Sequence, residues 1–157
     1  MEEEEVNEKE AELVFHTFLR RNCDNEMLEI LNAENELDHY AVHVNALELF
    51  DTNMLISTQL LKYPIQLLPV FERAAIIAQR EYIKDVIPNE SQYSMSVKVN
   101  CHVRISNLPI CPELVRDRLP QSQDVGTFLA FSGKLKTKEM LRAEIVLKNF
   151  VVLISLF

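Results

Sequence analysis

Glycine is nearly absent from this chain: 157 residues contain two, Gly126 and Gly133, seven positions apart. About 7% would be ordinary. Glycine supplies the positive-φ turns that closely spaced strands need. Two of them cannot serve the turns of a complete all-β barrel or sandwich. They also leave no room for a G-x-G-x-x-G or G-x-x-x-x-G-K-[ST] phosphate loop, so nucleotide chemistry through those loops is excluded. The balance is otherwise that of one globular domain, 48% hydrophobic and 25% charged, with no Trp.

The spacing predicts helices first. Residues 8–21 place Val14, Phe15, Phe18 and Leu19 on one face, with Arg20 and Arg21 in the last turn, where the helix dipole favours cations. Asp24 is expected to cap a second helix that buries Met27, Leu28, Ile30 and Leu31. His39 to Val44 alternates as a short strand, and Asn45 and Asn53 are expected to cap two further helices. Pro64 suits the first turn of a long helix over 64–86, with a stripe of Leu67, Leu68, Phe71, Ala75, Ala78 and Tyr82. Residues 87–94 read as a linker.

The period then changes from helical to alternating. Met95 to Ile105 reads as one long strand, with Lys98, Asn100, His102 and Arg104 on its polar face. Three prolines break up the next stretch, leaving one helical turn at Glu113–Arg118. Phe128–Leu135, interrupted at Gly133, and a segment from about Ala143 to Leu153 read as two more strands. Helices followed by strands indicate an α+β fold. The expected division is an acidic, solvated, disordered tail over 1–9, a helical part over 10–90 and a β part over 91–157.

Charge divides the same way. Residues 1–90 hold 19 acids and 7 bases, a net of −12, while residues 91–157 hold 5 acids and 9 bases, a net of +4. Lys98, Arg104, Lys134, Lys136, Lys138, Arg142 and Lys148 form the basic set. Cations at every second position of a strand make a one-sided ridge that can track phosphates. An ordinary solvated sheet face places lysines in the same way, so both readings stand on the residues alone. Phe128 and Phe131 are the nearby aromatics, and both read as core.

Other chemistry finds little support. His39 and His43 are four apart, which on a strand is roughly 13 Å, and no third metal ligand is evident. No G-x-S-x-G elbow occurs. Cys23, Cys101 and Cys111 are odd in number and form no C-x-x-C pair, as expected for free thiols in a reducing compartment. Met1-Glu-Glu-Glu-Glu5 is no secretory leader, and the apolar run Phe150–Phe157 is far short of a bilayer span. A soluble intracellular protein is expected.

Two strings carry a resemblance: His39-Tyr-Ala-Val-His-Val-Asn-Ala-Leu-Glu-Leu-Phe-Asp-Thr-Asn-Met54, and His102-Val-Arg-Ile-Ser-Asn-Leu-Pro-Ile-Cys-Pro-Glu-Leu-Val-Arg116 continuing to Asp124-Val-Gly-Thr-Phe-Leu-Ala-Phe-Ser-Gly133. Over residues 10–133 the chain resembles the N-terminal domain of the minichromosome-maintenance (MCM) family of DNA helicases, closest to the ninth paralogue. The resemblance implies a helical subdomain followed by a partial OB-fold. It further implies a nuclear, non-catalytic module that contacts DNA and other MCM subunits, above all the eighth paralogue, in homologous-recombination repair and replication. Binding to MCM partners without DNA is the alternative.

The family pattern breaks after Gly133. Lys134-Leu-Lys-Thr-Lys-Glu139 replaces the usual apolar-apolar-Arg strand, and Ala143-Glu-Ile-Val-Leu-Lys148 resembles a late OB strand. Zinc-ribbon cysteines and Walker motifs do not occur in these 157 residues. The resemblance thus implies a shortened form inactive as an ATPase on its own. ATP, Mg and Zn would belong to the longer family members.

Overall fold

The computed structural model describes residues 7–85, 95–115, 121, 126–135 and 145–153, and from residue 130 onward the backbone alone. Within these residues the fold is α+β. Five helices and four strands follow the order α1 (Glu8–Asn22), α2 (Asp24–Asn32), β1 (Tyr40–Asn45), α3 (Ala46–Thr52), α4 (Met54–Lys62), α5 (Pro64–Asp85), β2 (Cys101–Ser106), β3 (Phe128–Leu135) and β4 (Ile145–Leu153). The acidic run at residues 2–5, the linker 87–94 and residues 154–157 lie outside the described part. None of its helices is long and apolar enough to cross a membrane.

The helix starts follow local chemistry. The side chains of Asn7, Asn45 and Asn53 accept from the backbone N–H of Glu10, Leu47 and Ile56, satisfying donors that have no partner within the helix. The start of α2 differs from the expectation. Asp24 is its first residue, and Cys23, which makes no side-chain cap bond, takes the cap position. A Cys23–Asp24 pair leaves the carboxylate inside the first turn, where it opposes the helix dipole's positive end. In α5, Pro64 opens the helix as expected, and Pro69 sits inside it at the cost of one backbone bond to Ile65.

α1 and α5 pack through aromatic rings. Phe15 and Phe71 stack with centroids 3.8 Å apart and planes 4° from parallel, and Phe18 joins at 6.1 Å. All three are buried, with Leu19, Leu67, Val70, Ala74, Ala75 and Ala78 around them. Small alanines on α5 admit the large rings of α1. At the rim, Arg73 of α5 donates to Glu8 at 3.0 Å and Glu12 at 3.3 Å, which raises the guanidinium further above its ordinary range.

β1 and β2 form a parallel pair, with Tyr40 opposite Cys101 and Asn45 opposite Ser106. A parallel pair requires a long crossover, here α3, α4 and α5. A strand from the helical part is thus joined to a strand from the β part, across the division expected near residue 90. On the outer edge of β1, the backbone N–H of His43 donates to both carboxylate oxygens of Glu26 on α2, at 3.1 and 3.0 Å. That contact covers an edge donor that would otherwise invite a further strand.

β3 and β4 form an antiparallel pair, and the register shifts between Phe131 and Gly133, where the sequence predicts an interruption. Gly126, just before β3, has φ +82°, and a Cβ there would meet the Ile65 side chain at 3.2 Å. This is a position that requires glycine.

Cys23 and Cys101 are buried and all three cysteines are free. Burial, aided by Glu26, Glu48 and Asp24, pushes the Cys23 thiol up to about 11. Burial, aided by Glu72 and Glu26, pushes Cys101 up to about 11. Both values exceed the ordinary 9.0, so the folded state holds these protons more tightly than the unfolded state. The stability they contribute is complete below pH 9 and is lost as the pH rises from 9 through 11. Thiol alkylation at pH 8, read by mass spectrometry, should label the half-buried Cys111 first, and Cys23 and Cys101 should react at ordinary rates only in denaturant.

Candidate nucleic-acid interface

Of the seven basic residues expected to contact phosphate, Arg104 lies on the outer face that the alternation predicts. It lies on β2 opposite His43 of β1, and its side chain is exposed. Alternation explains this, since its neighbours Cys101 and Val103 point into the core.

Lys98 does not lie on the polar face. The expected long strand over Met95–Ile105 begins only at Cys101, with bends at Val99 and Asn100. Lys98 is fully buried while Val99 is 62% exposed, the inverse of the expected alternation. The cause is a clamp from α5. The buried Gln79 accepts from the Lys98 backbone N–H at 2.8 Å and donates to its carbonyl at 3.3 Å. The Lys98 ammonium turns back on Ser96, donating to its carbonyl at 3.1 Å and its hydroxyl at 2.5 Å. A polar residue pinned at both backbone groups cannot also rotate to the outer face. Lys98, one of the seven residues expected to contact phosphate, is therefore buried and not on the outer face.

Of the other five, Lys134 and Lys148 stand on the β3–β4 pair. Lys134 is on β3 opposite Val146. Lys148 is on β4 at the register shift: Phe131 pairs with Phe150 and Gly133 with Leu147, so Lys148 and Asn149 together oppose Ser132. Such a bulge bends the strand and raises its twist. Lys136, Lys138 and Arg142 lie outside the described residues, between the end of β3 and the start of β4. The turn expected at Glu113–Arg118 begins at Pro112–Leu114, and its remainder also lies outside them.

The histidines group in a way the sequence does not show. His39 does not work with His43. Its Nδ1 lies 2.8 Å from Nε2 of His102, while His43 Nδ1 meets Glu26 at 2.6 Å. Nδ1 of His102 in turn lies 3.1 Å from Glu72 on α5. The two rings are 63 positions apart in the chain, and only the parallel β1–β2 pairing brings them together. Among the described residues, no group of three or more His, Cys, Asp or Glu side chains converges on a metal position.

Comparison with known proteins places this arrangement. The fold is similar to the crystal structure, at 1.8 Å, of the N-terminal domain of an archaeal MCM, with a TM-score of 0.59 and 19% sequence identity. The likeness covers 83% of this chain and 48% of that one, so the chain spans about half the length of the structure it matches. At that identity the likeness bears on the fold alone. The family described as MCM9, N-terminal domain, matches residues 5–109, two thirds of the 157. That stretch takes in all five helices and both strands of the parallel pair. The chain belongs to the MCM9 N-terminal domain family.

Proposed function

We propose that the chain acts as a non-catalytic module of an MCM-type helicase, contacting DNA through its β part and other MCM subunits through its folded body. Membership in the MCM9 N-terminal domain family carries this reading. The charge division supports its DNA half, because phosphate is repelled by a −12 segment and tolerated by a +4 segment. Arg104, Lys134, Lys136, Lys138, Arg142 and Lys148 would act on phosphates, giving positional contact without base specificity. Repair by homologous recombination, replication, a nuclear location and the eighth paralogue as partner belong to the same proposal. ATP, Mg and Zn would be supplied by longer subunits.

A second reading is a module that binds MCM subunits and leaves DNA alone. The strongly acidic helical part and the inward-facing Lys98 favour it. A pull-down with the eighth paralogue separates the two. The variant reverses Lys134, Lys136 and Lys138 to Glu. Partner binding retained with DNA binding lost supports the proposal. Partner binding with no DNA binding in the unmodified chain supports the second reading. No binding to either would contradict both.

A further inference from the structure

Three of the four histidines meet a glutamate from another element. His16 lies 2.7 Å from Glu81, His43 lies 2.6 Å from Glu26, and His102 lies 3.1 Å from Glu72. Among the described residues, the fourth, His39, meets another imidazole. The facing nitrogens are 2.8 Å apart while the ring centroids are 5.0 Å apart and the planes differ by 10°, so the rings meet edge to edge.

The geometry fixes where the protons sit. A carboxylate only accepts, so the His102 nitrogen facing Glu72 carries the N–H. The opposite nitrogen of His102 has two options. As a lone pair, it accepts from the Nδ1–H of His39. As an N–H of the imidazolium, it donates to a bare His39 Nδ1. Either way, one proton lies between the two rings. When both rings are charged, two N–H groups face each other and the bond cannot form.

We propose that His39, His102 and Glu72 form a proton-sharing latch that holds the segment before β1 on β2 and releases it when both imidazoles are charged. The segment has other ties. Asn100 donates to the Leu37 carbonyl at 3.0 Å and accepts from the Tyr40 N–H at 2.9 Å. Within the segment, Asn35 receives the Leu37 N–H and the Tyr40 hydroxyl and donates to Asp38. Of the described ties, the imidazole pair is the one whose hydrogen bond depends on the charge of its two rings. The charged groups around it are Glu72 on α5, Asp38 beside His39 on the segment, and Arg104 two residues on along β2. On β1, His43 is held by Glu26. Opening the latch would free a segment that carries Leu37, already 79% exposed.

The inference does not depend on DNA or partner binding, and two measurements on the intact chain test it. The first is the tautomer of each ring at pH 8, read from imidazole 15N shifts. With both rings neutral the latch requires the proton on Nδ1 of both His39 and His102, and a neutral ring with its proton on Nε2 would overturn it. The second is amide exchange at residues 37–40, corrected for intrinsic rates, at pH 8 and pH 5. The latch predicts about a tenfold loss of protection on acidification, the scale of one hydrogen bond. It also predicts that His39→Phe and His102→Phe are less protected at pH 8 and lose no more at pH 5. Unchanged protection in the unmodified chain, or an undiminished pH step in the variants, would overturn it. If a variant fails to fold, the tautomers of the unmodified chain decide.

Discussion

Phe71→Ala should destabilise the chain by about 3–5 kcal/mol, a large share of an ordinary domain's stability. Phe71 is fully buried at the centre of the α1–α5 contact, stacked face to face with Phe15. Removing the ring costs its transfer from water and opens a cavity beneath Phe15 and Phe18. On the following turn of α5, Ala74 and Ala75 are too small to fill it. Urea unfolding followed by circular dichroism reads the effect as a fall in midpoint with little change in slope. Phe71→Leu, which keeps most of the volume, should lose far less. Equal losses for both would contradict the stacked packing.

Gln79→Leu should cost about 2–4 kcal/mol despite being a polar-to-apolar change in a buried site. The leucine fills similar space but leaves the Lys98 N–H and carbonyl without the partners that Gln79 provides. Each buried unpaired backbone group costs roughly 1–3 kcal/mol. Gln79→Glu tests the same clamp differently. Its carboxylate accepts from the Lys98 N–H but cannot donate to the carbonyl, and it adds a buried charge. Hydrogen exchange should show protection lost at residue 98 in Gln79→Leu, which removes the acceptor of that N–H, while α1 keeps its own. If residue 98 stays protected in Gln79→Leu, the clamp is not what turns Lys98 inward.

The helices were legible because their signals are local. The i, i+4 stripe of Phe15 and Leu19, the asparagines at 45 and 53, and Pro64 all act within a turn or two. β3 and its irregularity at Gly133 were legible for the same reason. What escaped the sequence depends on partners far along the chain. The pairing of β1 with β2 joins Tyr40 to Cys101 across three helices, and nothing in either strand names the other. The inversion at Lys98 follows from Gln79, nineteen residues earlier. Without that clamp, simple alternation would run unbroken from Met95. The candidate site shows the same split. Arg104 could be placed on the outer face from its immediate neighbours, but the His39–His102 contact could not be found from spacing.

The central functional proposal rests on cations meeting phosphate, and counterion release gives it a quantitative signature. The direct measurement is the affinity of the intact chain for a fluorescently labelled single-stranded or duplex DNA, by anisotropy, from about 50 to 200 mM salt. The account predicts binding at the low end that weakens steeply and linearly on logarithmic axes. Arg104→Glu should weaken binding about equally for unrelated DNA sequences and lower the slope by about one phosphate contact. Absence of binding at about 50 mM salt, or an affinity indifferent to salt and to Arg104, would contradict it.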